Sequence, residues 1–381
     1  MFDDRDRRLF TAEHEMFRDQ VRGFLQREAV PHHDRWEREG VVSRDIWLKA
    51  GAQGLLCPTA PEVYGGVGAD PLFAVIVVEE VARAGVSGLG FWVHSEMATP
   101  YLVSFGTEGQ KQRWLPDLIA GRKIAAVAMT EPDAGSDLRG MKSRARRNAD
   151  GTWTLKGQKV FISNGQMADL VFAAAKTEVN GKDRISMFLL DTSLPGFRRG
   201  RNLSKLGIHA QDTSELFFDD IVMPADALLG EVGEGFAYLR RGLVRERTVI
   251  SASAVAKAER AFALTREHVH QREMFGQRLI DFQNTRFVMA DCAKEITVGR
   301  ALMDSILDRY IAGTLDETQA AIAKLWTTEM LGKVADACLQ MFGGWGYMTE
   351  VPMARLWAEA RVERMAGGAS EVMRDLIGRT L

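Results

Sequence analysis

The apolar positions change their period twice along the chain, and these changes divide it into three parts. Up to about residue 122 the spacing is helical. Thr11 can cap a helix in which Phe17, Val21, Phe24 and Leu25 recur on one face, and Pro31 is expected to end it. Asp70-Pro71 opens a second helix through Ala84, closed by Gly85. Thr107-Glu108-Gly109-Gln110 has the form of a capping box ahead of Trp114, Leu115 and Leu118. Between 123 and 232 the period shortens. Lys123–Met129, the alternation at Trp153 and Leu155, Leu170–Lys176, Ile185–Leu190 and Ser214–Val222 read as strands, with turns at 148–151 and at Asn180-Gly181. No helix intervenes, so the expectation is an antiparallel β domain rather than a doubly wound sheet. From 233 to 381 the helical period returns, with long helices expected over about 235–271, 283–312, 316–342 and 368–379. Four helices on short links predict a bundle. The fold class is therefore α+β: an all-α part (1–122), a β part (123–232) and a four-helix bundle (233–381).

One segment of the first bundle helix breaks its own pattern. In Leu243–Ile250, Glu246 has Gly242 and Leu243 at i−4 and i−3, and Val249 and Ile250 at i+3 and i+4. These residues share its face, and none can neutralise a carboxylate. Arg245 and Arg247 point elsewhere around the helix. Read alone, Glu246 is best taken as a half-exposed helix residue reaching a solvated arginine, because a buried unpaired carboxylate is rare.

Composition removes whole classes of function. Lys+Arg number 49 against 51 Asp+Glu, a net charge of −2, which makes no global case for nucleic acid or an anionic membrane. The longest strongly apolar run, 71–78, is too short to span a bilayer, and Met1–Arg8 lacks the apolar segment of a secretory signal. A cytoplasmic location is the expectation. Cys57, Cys292 and Cys338 are far apart, which argues against a zinc site or disulfide framework, and no metal is expected.

Three glycine-bearing segments offer backbone to a ligand. Ala128–Asp137 leaves a strand with small residues that let amides approach closely, and Thr130 and Ser136 add hydroxyls. Read alone it is equally a polar turn. Gly157–Gly165 reads first as a hairpin turn. Gln340–Tyr347 closes a helix with more glycine than a cap requires. No Gly-x-Gly-x-x-Gly follows a strand and opens a helix, so a Rossmann-type nicotinamide site is not supported.

Taken together, these segments resemble the acyl-CoA dehydrogenase family along nearly the whole chain. The resemblance is carried by Met129-Thr130-Glu131-Pro132 with Gly135-Ser136-Asp137, and by Phe161-Ile162-Ser163-Asn164-Gly165. It continues in Arg272-x-x-Phe275-Gly276 with Gln283, in Gln340-Met341-Phe342-Gly343-Gly344 with Gly346-Tyr347, and in Gly368-Ala369-Ser370-Glu371. Ala210-Gln211-Asp212-Thr213 and Gly343–Met348 are similar in particular to the long-chain branch.

The resemblance implies non-covalent FAD and a homotetramer. By it, the Met129-Thr130 region, Ile162 and Ser163 would contact the isoalloxazine with Phe161 packed nearby, and Ser136 would stand where flavin and thioester meet. Arg272, Phe275, Gln283 and the Gln340–Gly344 turn, with Met341 and Phe342, would reach the cofactor of a neighbouring subunit. The guanidinium fork of Arg272 suits a pyrophosphate, although by itself it reads as a surface arginine. Ser370 and Glu371 match a further FAD contact, and Ala369 stands where the family commonly has Thr.

The main departure lies at Gly367. Many members carry their catalytic Glu there, whereas this chain has Ala366-Gly367-Gly368-Ala369. The isovaleryl and long-chain branches place the base in a Glu-Arg pair on a bundle helix, which Glu246-Arg247 matches. The implied activity is α,β-dehydrogenation of a saturated acyl-CoA. Glu246 would take the α proton, flavin N5 the β hydride, and the Gly367 amide would bind the thioester oxygen. Arg245, Arg247 and Gly368 would lie near the substrate, and electrons would pass to an electron-transfer flavoprotein. An oxygen-using flavoenzyme, a non-catalytic flavin-binding relative and a carrier-protein thioester remain alternatives. Acyl length and branching stay open, because no motif reports pocket volume.

Overall fold

A computed structural model describes Phe2 and residues 7–381, so most of the Met1–Arg8 stretch discussed above lies outside the described residues. The N-terminal part holds α1 (Ala12–Glu28), α2 (Val30–Glu39), α3 (Asp45–Ala52), α4 (Pro71–Ala84), α5 (Thr99–Phe105) and α6 (Glu108–Ile119). Thr11 caps α1 and Thr107 caps α6, each in a reciprocal box completed by His14 and Gln110. Pro31 does not simply end a helix. Ala29 breaks the chain, and Pro31 falls in the first turn of α2, where a missing N–H costs nothing. A π-helical turn, Val93–Ala98, runs directly into α5.

The middle part is one sheet. Its strands are β1 (Ala125–Ala128), β2 (Arg144–Arg147), β3 (Trp153–Ser163), β4 (Leu170–Val179), β5 (Lys182–Asp191), β6 (Phe197–Asn202), β7 (Thr213–Met223) and β8 (Leu228–Leu229). The order is β6-β7-β3-β2-β4-β5-β8, with β1 beside β4. The ladders are mostly antiparallel, as expected, but β1 lies parallel to β4. Three strands escape the sequence pattern: the two-residue β8, too short to show a period, and β2 (Arg-Ala-Arg-Arg) and β6 (Phe-Arg-Arg-Gly-Arg-Asn), in which exposed arginines hide the alternation. Gly157–Gly165 does end a strand: up to Ser163 it is the second half of β3, irregular between Lys159 and Ile162, and Asn164-Gly165 lie in the turn that follows. β3 does not pair with β4, so that turn is not a hairpin.

The C-terminal part contains α7 (Gly235–Gln271), a small hairpin of β9 (Glu273–Met274) and β10 (Gln277–Arg278), α8 (Gln283–Ile311), α9 (Glu317–Gln340), α10 (Pro352–Glu363) and α11 (Ser370–Gly378). A further, shorter helix, α10, packs against α9 and α7 and is not among those expected from the sequence. Its buried Met353, Leu356 and Ala360 follow helical spacing between charged residues. The segment near 368–379 is the short α11. Among the described residues, no helix is long and apolar enough to cross a membrane.

Candidate active site

Glu246 lies on α7 and is 4% exposed. Its carboxylate has no hydrogen bond or ion pair to any described residue. Burial disfavours its charged form, and the nearby Arg247 and Lys324 cations offset this only in part. Its pKa is therefore raised to about 7. The glycine at i−4 has a steric reason, since a Cβ on Gly242 would meet Tyr101 Oη at 2.2 Å. Tyr101 from α5 thus closes one side of the Glu246 face.

Gly367 is 121 positions away in sequence and reaches the same spot. A Cβ built on it would stand 3.6 Å from Glu246 Oε1 and 2.6 Å from Ile250 Cδ1. Gly367 and Gly368 both lie in the left-handed region, at φ 64° and 96°, where a side chain is strained. Both carbonyls of this turn are held by cations. Arg247 Nε donates to Gly367 O at 3.4 Å, and Lys324 Nζ donates to Gly368 O at 2.7 Å. The Gly367 amide N–H donates to no described residue.

Arg247 also approaches Glu317 at 3.5 Å. Arg245 is engaged on a different side. It pairs with the buried Glu96 at 3.1 Å and donates to Tyr310 Oη and Thr59 Oγ1. Its charge is thereby committed within the helical layer.

The two glycine-bearing segments of the middle part meet at a second surface. Val160 N donates to Thr130 O at 3.0 Å, which draws Met129-Thr130 against the end of β3. Beneath them Lys159 is buried. It donates to Glu131 Oε1 at 2.8 Å and to Met129 O at 3.0 Å. Glu131 in turn accepts from the backbone N–H groups of Lys142 and Ser143. Phe161, at φ 60°, is turned outward and 66% exposed, while Ile162 is buried and Ser163 half-buried. Asn164 ties this end to the N-terminal part by donating to Gly90 O, and to β1 by donating to Ala125 O. Ser136 is exposed in the turn after β1, and Gly135 has open space where a Cβ would be.

The remaining sequence-derived candidates form a separate cluster. Arg272 ends α7, exposed and with no ion pair among the described residues. Phe275 is 85% exposed at φ 51°, and Gln283 is exposed at the start of α8. The Gln340–Gly344 turn packs against the last turns of α7, with Phe342 stacked on His268 at 4.2 Å and Met341 half-buried. Gly343 and Gly344 have nothing within 4 Å of an added Cβ. From Glu246 to Arg272 the helix α7 rises about 39 Å. Ser370 opens α11, and its buried Oγ has no partner, while Glu371 beside it is exposed.

Sequence reasoning missed Tyr101, Lys159 and Lys324. Lys159 stood inside a motif already singled out, and Lys324 stood alone in the apolar stretch Ala320–Leu325. A lone lysine among small apolar residues is itself a signal that something buried needs a cation.

Models of the acyl-CoA dehydrogenase N-terminal, middle and C-terminal domains match residues 11–122, 126–221 and 233–381. The chain belongs to the acyl-CoA dehydrogenase family. It is thus a member of an oxidoreductase family. The mitochondrial long-chain specific acyl-CoA dehydrogenase of Mus musculus is 43% identical over 98% of this chain and 88% of its own length. The crystal structure of acyl-CoA dehydrogenase from Geobacillus kaustophilus superposes with a TM-score of 0.95 at 43% identity, covering 98% of this chain and 99% of that one. The acyl-CoA dehydrogenase from Bacillus anthracis, complexed with FAD, gives 0.92 at 28% identity, over all of this chain and 68% of that one.

Proposed function

We propose that this protein removes two hydrogens across Cα–Cβ of a saturated acyl-CoA thioester to give the trans-2-enoyl-CoA, with FAD as its cofactor and Glu246 as the base. The observation that carries the reading is the buried, partner-free carboxylate of Glu246 beside the Gly367 turn. A base for a weakly acidic α C–H works best with a pKa near the working pH, and burial gives Glu246 that property. As the α proton moves to the Glu246 carboxylate, negative charge grows on the thioester oxygen. The unpaired Gly367 N–H is the donor on this chain for that charge. Gly367 also leaves room for a base arriving from α7, because any side chain there would meet Ile250.

The residues present fit FAD. The free Ser370 Oγ, the open glycines at 135, 343 and 344, and the unpaired Arg272 fork are polar or backbone surfaces waiting for a ligand. Met129, Thr130, Phe161, Ile162 and Ser163 would hold the ring system, and Ser370 with Glu371 would make a further contact. Bound FAD supplies the acceptor for the hydrogen that leaves Cβ with its electron pair. Ser136, Arg247 and Gly368 would border the thioester, whereas Arg245 is held by Glu96, Tyr310 and Thr59.

One small cofactor cannot touch both Glu246 and Arg272 of the same chain. Arg272, Phe275, Gln283 and Gln340–Gly344 are therefore assigned to the cofactor of a second copy, in a homotetramer. The exposed apolar side chains of Phe275, Trp345 and Tyr347 support an interface there. An electron-transfer flavoprotein is the proposed acceptor.

The test is anaerobic titration of the purified flavoprotein with acyl-CoAs from four to eighteen carbons, straight and branched. Bleaching of the flavin by at least one thioester, slow reoxidation by oxygen and a light-scattering mass of four chains are expected. No bleaching with any thioester contradicts the dehydrogenase reading. Rapid peroxide formation points instead to an oxygen-using enzyme.

A further inference from the structure

Lys324 has no part in the chemistry described so far. It lies on α9 and is 0% exposed, on a stretch where Ala320, Ala321 and Ala323 are also buried. Bringing an ammonium into such surroundings is costly unless it is used. Its ammonium's one hydrogen bond among the described residues is to the carbonyl of Gly368, at 2.7 Å. That carbonyl belongs to a two-glycine turn otherwise held by the long 3.4 Å bond from Arg247 Nε to Gly367 O and by Ser370 N–H donating to Arg364 O across it. Both residues are left-handed, neither has a side chain to pack, and the turn ends before a helix whose N-cap, Ala369, gives no side-chain bond.

We infer that Lys324 is the positioning residue of this active site: its ammonium locks the Gly367–Gly368 turn through the Gly368 carbonyl, aims the Gly367 amide at the thioester oxygen, and places a fixed positive charge near the base Glu246. The inference rests on the assignment of Glu246 as the base and gives it a partner that acts through the Gly368 carbonyl.

The charges around the site agree with this. Glu246 sees Arg247 on its own helix and Lys324 from α9, and both favour its ionised form. Arg247 is shared with Glu317 from the start of α9, so part of its charge is already answered. Lys324 faces Glu363 from α10, Glu246 and Arg247 from α7, and Glu329 on its own helix. Glu363 is itself paired with Lys257. Lys324 is thus the less committed of the two cations. It is also the one that holds the Gly368 carbonyl, at 2.7 Å, where Arg247 holds that of Gly367 at 3.4 Å. As proton transfer puts negative charge on the thioester oxygen and neutralises Glu246, a cation held on the turn stabilises the new charge without moving.

The experiment uses the FAD-loaded enzyme as wild type, Lys324→Met, Lys324→Arg and Glu246→Gln. Three readouts are taken: flavin retention with melting temperature, the pH profile of anaerobic single-turnover flavin reduction by the best acyl-CoA, and binding of acetoacetyl-CoA. The last is a thioester with an acidic α carbon, and its enolate is read by ultraviolet absorbance without any turnover. Lys324→Met should keep its flavin and lower the reduction rate roughly 100-fold, as loss of positioning does. It should raise the midpoint of the pH profile by about one unit and weaken enolate formation in parallel. Lys324→Arg keeps the charge and should restore most of the midpoint but less of the rate. A Lys324→Met enzyme with unchanged midpoint and unchanged enolate formation overturns the inference. So does Lys324→Arg matching Lys324→Met in both. Glu246→Gln separates the two assignments. If it reduces flavin at the wild-type rate, the base assignment falls and this inference falls with it. If it is inactive while Lys324→Met shifts nothing, only the role of Lys324 is lost.

Discussion

Glu79 and Glu246 are both buried glutamates on long helices, α4 and α7, and they are built in opposite ways. Glu79 accepts hydrogen bonds from Arg7 at 2.6 Å, from Arg18 at 2.8 Å and from Arg83 at 3.4 Å. Burial alone would push its pKa up, but the Coulomb fields of Arg7, Arg83, Arg18 and Arg300 hold it far below the ordinary carboxylate range. Glu246 has only the distant fields of Arg247 and Lys324 against a similar loss of solvent. The first carboxylate is fixed as an anion and ties Arg7 and α1 to α4. The second is left able to gain and lose a proton. A buried carboxylate becomes a reagent when the fold withholds its partners.

The largest expected effect lies on the structural side. Glu79→Ala leaves several buried guanidinium groups short of an anion and should destabilise the fold by about 3–5 kcal/mol, measured by urea unfolding. Glu246→Gln should do the reverse at pH 8. The pKa of Glu246 is raised on folding, so its stabilising contribution is complete below the unfolded value near 4.5. It is lost as the pH rises towards about 7. A neutral Gln escapes that loss and should be more stable than wild type by roughly 2–3 kcal/mol at pH 8, with the gain vanishing near pH 4. Equal stability curves at both pH values would mean that Glu246 is not ionised at a cost. Lys159→Met is next. It frees the Met129 carbonyl and leaves Glu131 with only its backbone donors, so FAD retention on gel filtration should fall roughly 10-fold, while Glu246 keeps its environment. The smallest effect belongs to an exposed pair. Arg144→Ala breaks the contact with Asp183 and should cost less than about 1 kcal/mol.

The fold class was legible because its signals are local. Thr11, Asp70 and Thr107 cap the helices they were expected to cap. Strands β2 and β6 were hidden by exposed arginines, and α10 by the charges between its apolar positions. The candidate site was legible only as fragments. Sequence periodicity showed that Glu246 had no partner on its own face, but it could not show that no other helix supplies one. The nearness of Gly367 is a tertiary fact, fixed where the turn before α11 crosses α7. Arg245 illustrates the converse. Its position beside Glu246 suggested a place near the substrate, yet its direction around the helix takes it to Glu96 and Tyr310.

The central claim is that Glu246 is a base whose proton affinity is set by burial. Its most direct test is the pH dependence of anaerobic flavin reduction, in a single turnover with a reactive acyl-CoA, for wild type and Glu246→Gln. The rate for the wild type should rise with pH through a midpoint near 7, and the variant should lose that rise together with roughly three powers of ten in rate. A midpoint near the ordinary carboxylate value of about 4.5, or a variant as fast as wild type, contradicts the claim.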